Sequence, residues 1–65
     1  MKNSFRERVI TEGRVFTRKY CYEYNIGIVG WRTITRRPLD CYGHIIGGAE
    51  EVLRYNPNTK QWETR

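Results

Sequence analysis

The stretch Arg14-Val15-Phe16-Thr17-Arg18-Lys19-Tyr20-Cys21-Tyr22-Glu23-Tyr24 decides how this chain is read. Phe16, Tyr20, Tyr22 and Tyr24 fall on even positions, and Val15, Thr17, Lys19, Cys21 and Glu23 on odd ones. Successive side chains of a strand point to opposite faces, so this alternation predicts one continuous strand with an aromatic face and a mixed, basic face.

Working outward toward the start, residues 5–11 also alternate and include the β-branched pair Val9 and Ile10, which predicts a second strand. Glu12-Gly13 between them reads as a hairpin turn, because glycine adopts the positive φ that a tight turn needs. A two-residue loop sets Val9 opposite Phe16, Glu7 opposite Arg18 and Phe5 opposite Tyr20. One face then collects Phe5, Val9, Phe16, Tyr20, Tyr22 and Tyr24. The other collects Arg6, Arg8, Ile10, Val15, Thr17 and Lys19. Residues 1–4 are expected to form a loose terminus.

Toward the end of the chain, Asn25-Ile26-Gly27 interrupts the aromatic strand, and a third strand runs to Arg36. Its two sides are Val29, Trp31, Thr33 and Thr35, and Gly30, Arg32, Ile34 and Arg36. The parity of the connecting loop decides which side joins the tyrosines. An even loop buries Trp31, whereas a three-residue loop ending at Gly27 inverts the strand. Burial of a tryptophan favours the even loop, which places Arg32 and Arg36 beside Lys19. Pro38 ends the strand. Residues 39–43 are turn-rich, and His44-Ile45-Ile46 suits a short strand. Residues 49–55 fit either a short helix, with Glu50 and Glu51 in its first turn, or a strand that returns through Gln61-Trp62-Glu63.

Gly47-Gly48, Val52 and Tyr55-Asn56-Pro57-Asn58-Thr59-Lys60-Gln61-Trp62 resemble the closing part of a kelch repeat, with its double glycine, tyrosine, polar turn and tryptophan. The resemblance covers residues 47–62 and implies a β-hairpin there. A propeller needs several blades, and no second copy of the repeat occurs, so only the local hairpin follows. It favours strand over helix at 49–55.

The expected fold is mainly β: a small antiparallel sheet, built as a three-stranded meander plus a C-terminal hairpin over the aromatic face. One short helix at 49–55 is the alternative. All 65 residues make one small basic β domain, 1–65. At about 1.5 kcal/mol of ordering entropy per residue, such a chain is near the lower limit for a self-sufficient core.

The formal net charge is +5, and it is uneven. Residues 1–20 hold six cations against two carboxylates, whereas residues 41–65 are neutral. A basic half suits nucleic acid, an acidic protein or an anionic surface. The opening residues hold no apolar signal-like core, and no apolar run is long enough to span a membrane, which predicts a cytoplasmic protein without membrane contact. Cys21 and Cys41 are expected to be free thiols, with a single disulfide as the alternative.

Chemistry-bearing motifs are sparse. Cys41 and His44 lie three apart beside Asp40, but a structural zinc site wants four ligands, so neither metal nor other cofactor is expected. A Cys–His nucleophilic pair would need the single histidine, and no nucleophile elbow, phosphate-binding loop or metalloprotease pattern is present. A non-enzymatic binding module without a small-molecule substrate is the expectation. Its first form contacts DNA or RNA through a basic sheet face of Arg6, Arg8, Lys19, Arg32, Arg36 and Arg37, since a sheet can enter a major groove. Tyr20, Tyr22, Tyr24 and Trp31, with Arg14 and Arg18 nearby, would otherwise stack single-stranded bases. The alternative is an inhibitor, adaptor or homodimer anchored by Trp31, Tyr55 and Trp62. In size and composition the chain is similar to accessory proteins of phages and mobile elements.

Overall fold

A computed structural model describes residues 4–64 of the chain. Its first element is a helix, α1, Phe5–Glu12, in place of the strand expected over 5–11. Both ends of that helix are capped. The Ser4 hydroxyl accepts a hydrogen bond from the Glu7 backbone N–H (3.1 Å), which with Glu7 in the first turn has the Ser-x-x-Glu spacing of a capping box. Gly13 takes φ 81° and donates its N–H to the Val9 carbonyl (2.8 Å). The positive φ anticipated there is real, but it terminates a helix instead of turning a hairpin. Phe5 and Val9, four apart, share one helical face, which serves burial as well as strand alternation would. The loose terminus expected over 1–4 falls, for residues 1–3, outside the described residues.

Five antiparallel strands follow in simple meander order: β1 Arg14–Phe16, β2 Tyr20–Ile26, β3 Arg32–Pro38, β4 Glu50–Asn56 and β5 Gln61–Thr64. The mainly β class is therefore correct, and the short helix lies at the start of the chain, not at 49–55. The stretch expected to be one strand folds back on itself. Thr17 closes the turn: its hydroxyl accepts from the Tyr20 N–H (3.0 Å) and donates to the Tyr20 carbonyl (2.9 Å), and its own N–H reaches that carbonyl too (2.8 Å). Val15 then pairs with Tyr22, and Phe16 pairs with Cys21. The odd turn of residues 17–19 moves Phe16 off the tyrosine face, and Glu7, inside α1, makes no pair with Arg18.

Residues 27–31 link β2 to β3 through one tight turn, Ile28–Gly30. Gly27 N–H donates to the Trp31 carbonyl (2.7 Å) and Trp31 N–H to the Ile28 carbonyl (3.1 Å). Val29 sits at φ 55°, ψ 32°, a left-handed conformation that costs an L-residue about 1–2 kcal/mol. Five linking residues are an odd number, so the inverted register is the one formed. Tyr24 pairs with Ile34 and Tyr22 with Arg36, while Trp31 is carried to the opposite face. Burial of Ile34, at the centre of the sheet, prevails over burial of Trp31.

Beyond Pro38 the chain stays hairpin-like, with an isolated bridge between Leu39 and Ile45 and a tight loop in which the Asp40 carboxylate accepts from the Tyr42 and His44 N–H groups (2.9 and 2.8 Å). A bulge between Ile34 and Thr35 sets Val52 out of register, so Leu53 pairs with Ile34 and Glu51 with Thr35. The hairpin implied by residues 47–62 forms as β4–β5, its turn closed by the Asn56 side chain accepting from the Asn58 N–H (2.9 Å). It extends the sheet edgewise and does not cover it.

The cover comes from α1. Val9, Val15 and Ile34 are buried between helix and sheet, ringed by Ile10, Tyr22, Tyr24, Leu53 and Trp62. The register places Tyr20, Tyr22, Tyr24, Arg32, Ile34, Arg36, Glu50, Leu53, Tyr55 and Trp62 on this helix-bearing face. The other face has no helix on it and carries Arg14, Phe16, Cys21, Glu23, Thr33, Thr35, Arg37, Glu51, Arg54 and Glu63.

Candidate nucleic-acid interface

The arginines of the two faces keep different company. On the bare face Glu23 lies between Arg14 (3.3 Å) and Arg37 (3.2 Å), and Glu51 lies 3.6 Å from Arg54. Glu63 stands opposite Arg54 across the β4–β5 ladder. Three carboxylates thus face three guanidiniums, and the local field is close to neutral. Arg54 also lies over the Trp31 ring, at 5.5 Å.

On the helix-bearing face, arginines lie over aromatic rings. Arg36 Cζ is 4.2 Å from the centroid of Tyr20, Arg32 is 5.5 Å from Tyr55, and Arg6 of α1 is 5.7 Å from Trp62. Such stacking is worth about 0.5–1 kcal/mol at exposed sites and occupies the flat side of the guanidinium. Arg36 also donates to Glu50 (3.1 Å), and this carboxylate, followed by the Tyr22 hydroxyl, raises the guanidinium's pKa. The Arg6 Nε is buried and has no hydrogen-bond partner among the described residues.

At the β1–β2 turn this face opens into a groove of about 520 Å³ lined by Phe5, Thr17, Arg18, Lys19, Tyr20 and Tyr22. Phe5 meets Tyr22 edge-on at 4.8 Å, and Tyr20 meets Tyr22 at 6.1 Å. Arg18 and Lys19 form the rim, and neither has a carboxylate within 4.0 Å among the described residues. A second aromatic pair, Tyr55 and Trp62 at 5.4 Å, carries Arg32 and Arg6. Planar stacking surfaces beside unpaired cations can take a base on a ring and a phosphate on the rim.

The residues expected to share a basic sheet face are therefore divided. Arg6, Arg32 and Arg36 converge on the helix-bearing face, although Arg6 arrives from a helix. Lys19 joins Arg18 in the turn. Arg8 pairs with Glu12 on the exposed side of α1 (3.2 Å), and Arg37 belongs to the bare face. Of the aromatic anchors, Tyr55 and Trp62 touch, whereas Trp31 lies across the sheet. Phe5 and Arg18 were not among the basic-face candidates. The capping spacing of Ser4 and Glu7, which makes residues 5–12 a helix, is the signal that brings Phe5 to the tyrosines.

Cys21 is buried and Cys41 exposed, and both are free thiols. Burial is the main reason the Cys21 pKa is raised, with Glu23 adding to it and Arg14 and Arg37 opposing. Among the described residues no group of three or more His, Cys, Asp and Glu is disposed to hold a metal, and no helix is long and apolar enough to cross a membrane. No protein-family model matches this chain, and neither a curated protein nor a solved structure shows significant similarity to it.

Proposed function

We propose that this protein is a non-enzymatic nucleic-acid-binding module whose contact surface is the helix-bearing face, centred on the groove of Phe5, Tyr20 and Tyr22 with Arg18, Lys19 and Arg36 around it. The observation that carries the reading is an open aromatic floor beside two cations that no described carboxylate compensates. Single strands suit it better than duplex. Stacking needs unpaired bases, while the flat bare face that could enter a major groove is covered by matched ion pairs.

Fluorescence anisotropy with labelled single- and double-stranded DNA and RNA at two salt concentrations tests this. The expected result is preference for single strands and a log–log salt slope of about −2, from roughly three phosphate contacts at about −0.7 each. Absence of binding at low salt, or equal binding by the Arg18→Gln/Lys19→Gln variant, overturns the reading.

A protein-interaction module is the second reading. It is favoured by the number of large apolar side chains left exposed, among them Phe16, Tyr42, Ile45 and Ile46. Sedimentation at increasing concentration tests its simplest form, a homodimer, which a strictly monomeric profile excludes.

A further inference from the structure

At the end of the sheet away from the groove, the last residue of β2 and the β2–β3 loop carry a knob of aliphatic side chains. Ile26, Ile28 and Val29 are 73 %, 84 % and 81 % exposed, although isoleucine and valine are among the residues most often buried. The loop that holds them is built, not slack. Two backbone hydrogen bonds close it, Gly30 takes φ 81° where an added Cβ would lie 3.4 Å from Pro57 of the neighbouring β4–β5 turn, and Val29 is kept in a left-handed conformation that β-branched residues rarely adopt. Strain of this kind is a pointer to function.

The charge around the knob has one sign. No aspartate or glutamate occurs from residue 24 to 39 or from 52 to 62, the two segments that contain these adjoining loops. Arg32, at the foot of the knob, and Lys60, exposed in the β4–β5 turn, have no ion-pair partner among the described residues. Two copies meeting knob to knob would bring like charges together. A bilayer with acidic headgroups accepts a convex apolar tip without a preformed pocket and attracts the flanking cations. The opposite end also exposes Tyr42, Ile45 and Ile46, but their loop contains Asp40 and no lysine or arginine.

We infer that the β2–β3 loop is a membrane-surface contact, in which Ile26, Ile28 and Val29 enter the headgroup layer of an anionic bilayer while Arg32 and Lys60 remain at the phosphates. The contact is peripheral and is independent of the groove. Co-sedimentation of the full chain with phosphatidylserine-containing vesicles, compared with phosphatidylcholine vesicles, tests it. The expected result is binding to the anionic vesicles alone, lowered about tenfold or more in Ile28→Ser/Val29→Gly. Glycine accepts the φ at residue 29, so that variant is expected to keep the parent's melting temperature and oligonucleotide affinity. The control Ile45→Ser/Ile46→Ser is expected to bind vesicles like the parent. Absence of binding to anionic vesicles, equal binding by the Ile28/Val29 variant, or an equal loss in the Ile45/Ile46 control overturns the proposal. So does a dimer that the Ile28/Val29 variant dissolves while vesicles bind neither form, which would assign the knob to a second copy.

Discussion

On the bare face of the sheet Arg14 and Arg37 bracket Glu23, and Arg54 reaches Glu51. On the helix-bearing face Arg36, Arg32 and Arg6 lie over Tyr20, Tyr55 and Trp62. Each face thus uses three arginines, but the bare face sets Glu23, Glu51 and Glu63 among its three, whereas on the helix-bearing face only Arg36 has a carboxylate, Glu50. A carboxylate partner consumes both the charge and the donors of a guanidinium, whereas a ring partner occupies its flat side and leaves the donors free. A count of basic residues per face therefore says little until their partners are known, and partners are set by strand register.

The largest expected effect lies in the core. Ile34 is buried on the helix-bearing face, and Ile34→Ala is expected to remove about 3 kcal/mol, most of what a domain this small possesses. Thr33→Ala, one residue away on the bare face, is expected to change stability by less than about 0.5 kcal/mol. Urea midpoints of the two variants check the pair, and comparable losses would mean that the bare face is not bare. Binding is expected to differ between the faces as well. Arg18→Gln/Lys19→Gln is expected to weaken single-strand affinity about tenfold and flatten the salt slope by roughly 1.4, while Arg14→Gln/Arg37→Gln changes affinity less than about twofold. Anisotropy titrations decide between them, and the reverse order would move the interface across the sheet.

Smaller effects follow. Ser4→Ala removes the helix cap at a cost of about 1 kcal/mol, readable by thermal melting, and loosens Phe5 from Tyr22. The two thiols differ in the same sense as their exposure. Cys41 is expected to react with a thiol reagent in the native state, and Cys21 only on unfolding. Because burial raises the Cys21 pKa in the folded state, the unfolded chain releases this proton first. Stability from this site is therefore full below the ordinary thiol range and declines as pH rises through the raised value, which denaturation at neutral and alkaline pH would detect. Glu23→Gln is expected to alter stability by no more than about 1 kcal/mol while uncovering two guanidiniums on the bare face.

Much of the sheet was legible from residue pattern. Period-two alternation in residues 20–24, the stop at Pro38 and the turn at residues 56–60 each mark a strand or its end, and the hairpin resemblance at 47–62 correctly favoured strand. What alternation does not encode is parity across a turn. The turn at 17–19 and the loop at 27–31 each have an odd number of residues: the first moves Phe16 off the tyrosine face, and the second sends β3 to the face opposite the one expected. The helix was missed for a related reason. Phe5, Arg6, Val9 and Ile10 suit either period, and the decision lay in the two capping residues at the ends, Ser4 and Gly13. The candidate site suffered accordingly: Arg6, Arg8, Lys19, Arg32, Arg36 and Arg37 were expected together on a face away from the tyrosines, and only register and helix put Arg6, Arg32 and Arg36 on the tyrosine face, leave Arg8 and Arg37 elsewhere and add Phe5.

The link between β2 and β3 has a consequence in genetic terms. An in-frame insertion or loss of a single codon among residues 27–31 would not adjust the surface by degree. It would turn β3 over, placing Thr33, Thr35 and Arg37 beneath the helix and carrying Ile34 outward. Descendants of this gene can therefore lengthen or shorten that loop freely only by two codons at a time, and the parity of its length should be inherited more faithfully than any residue within it.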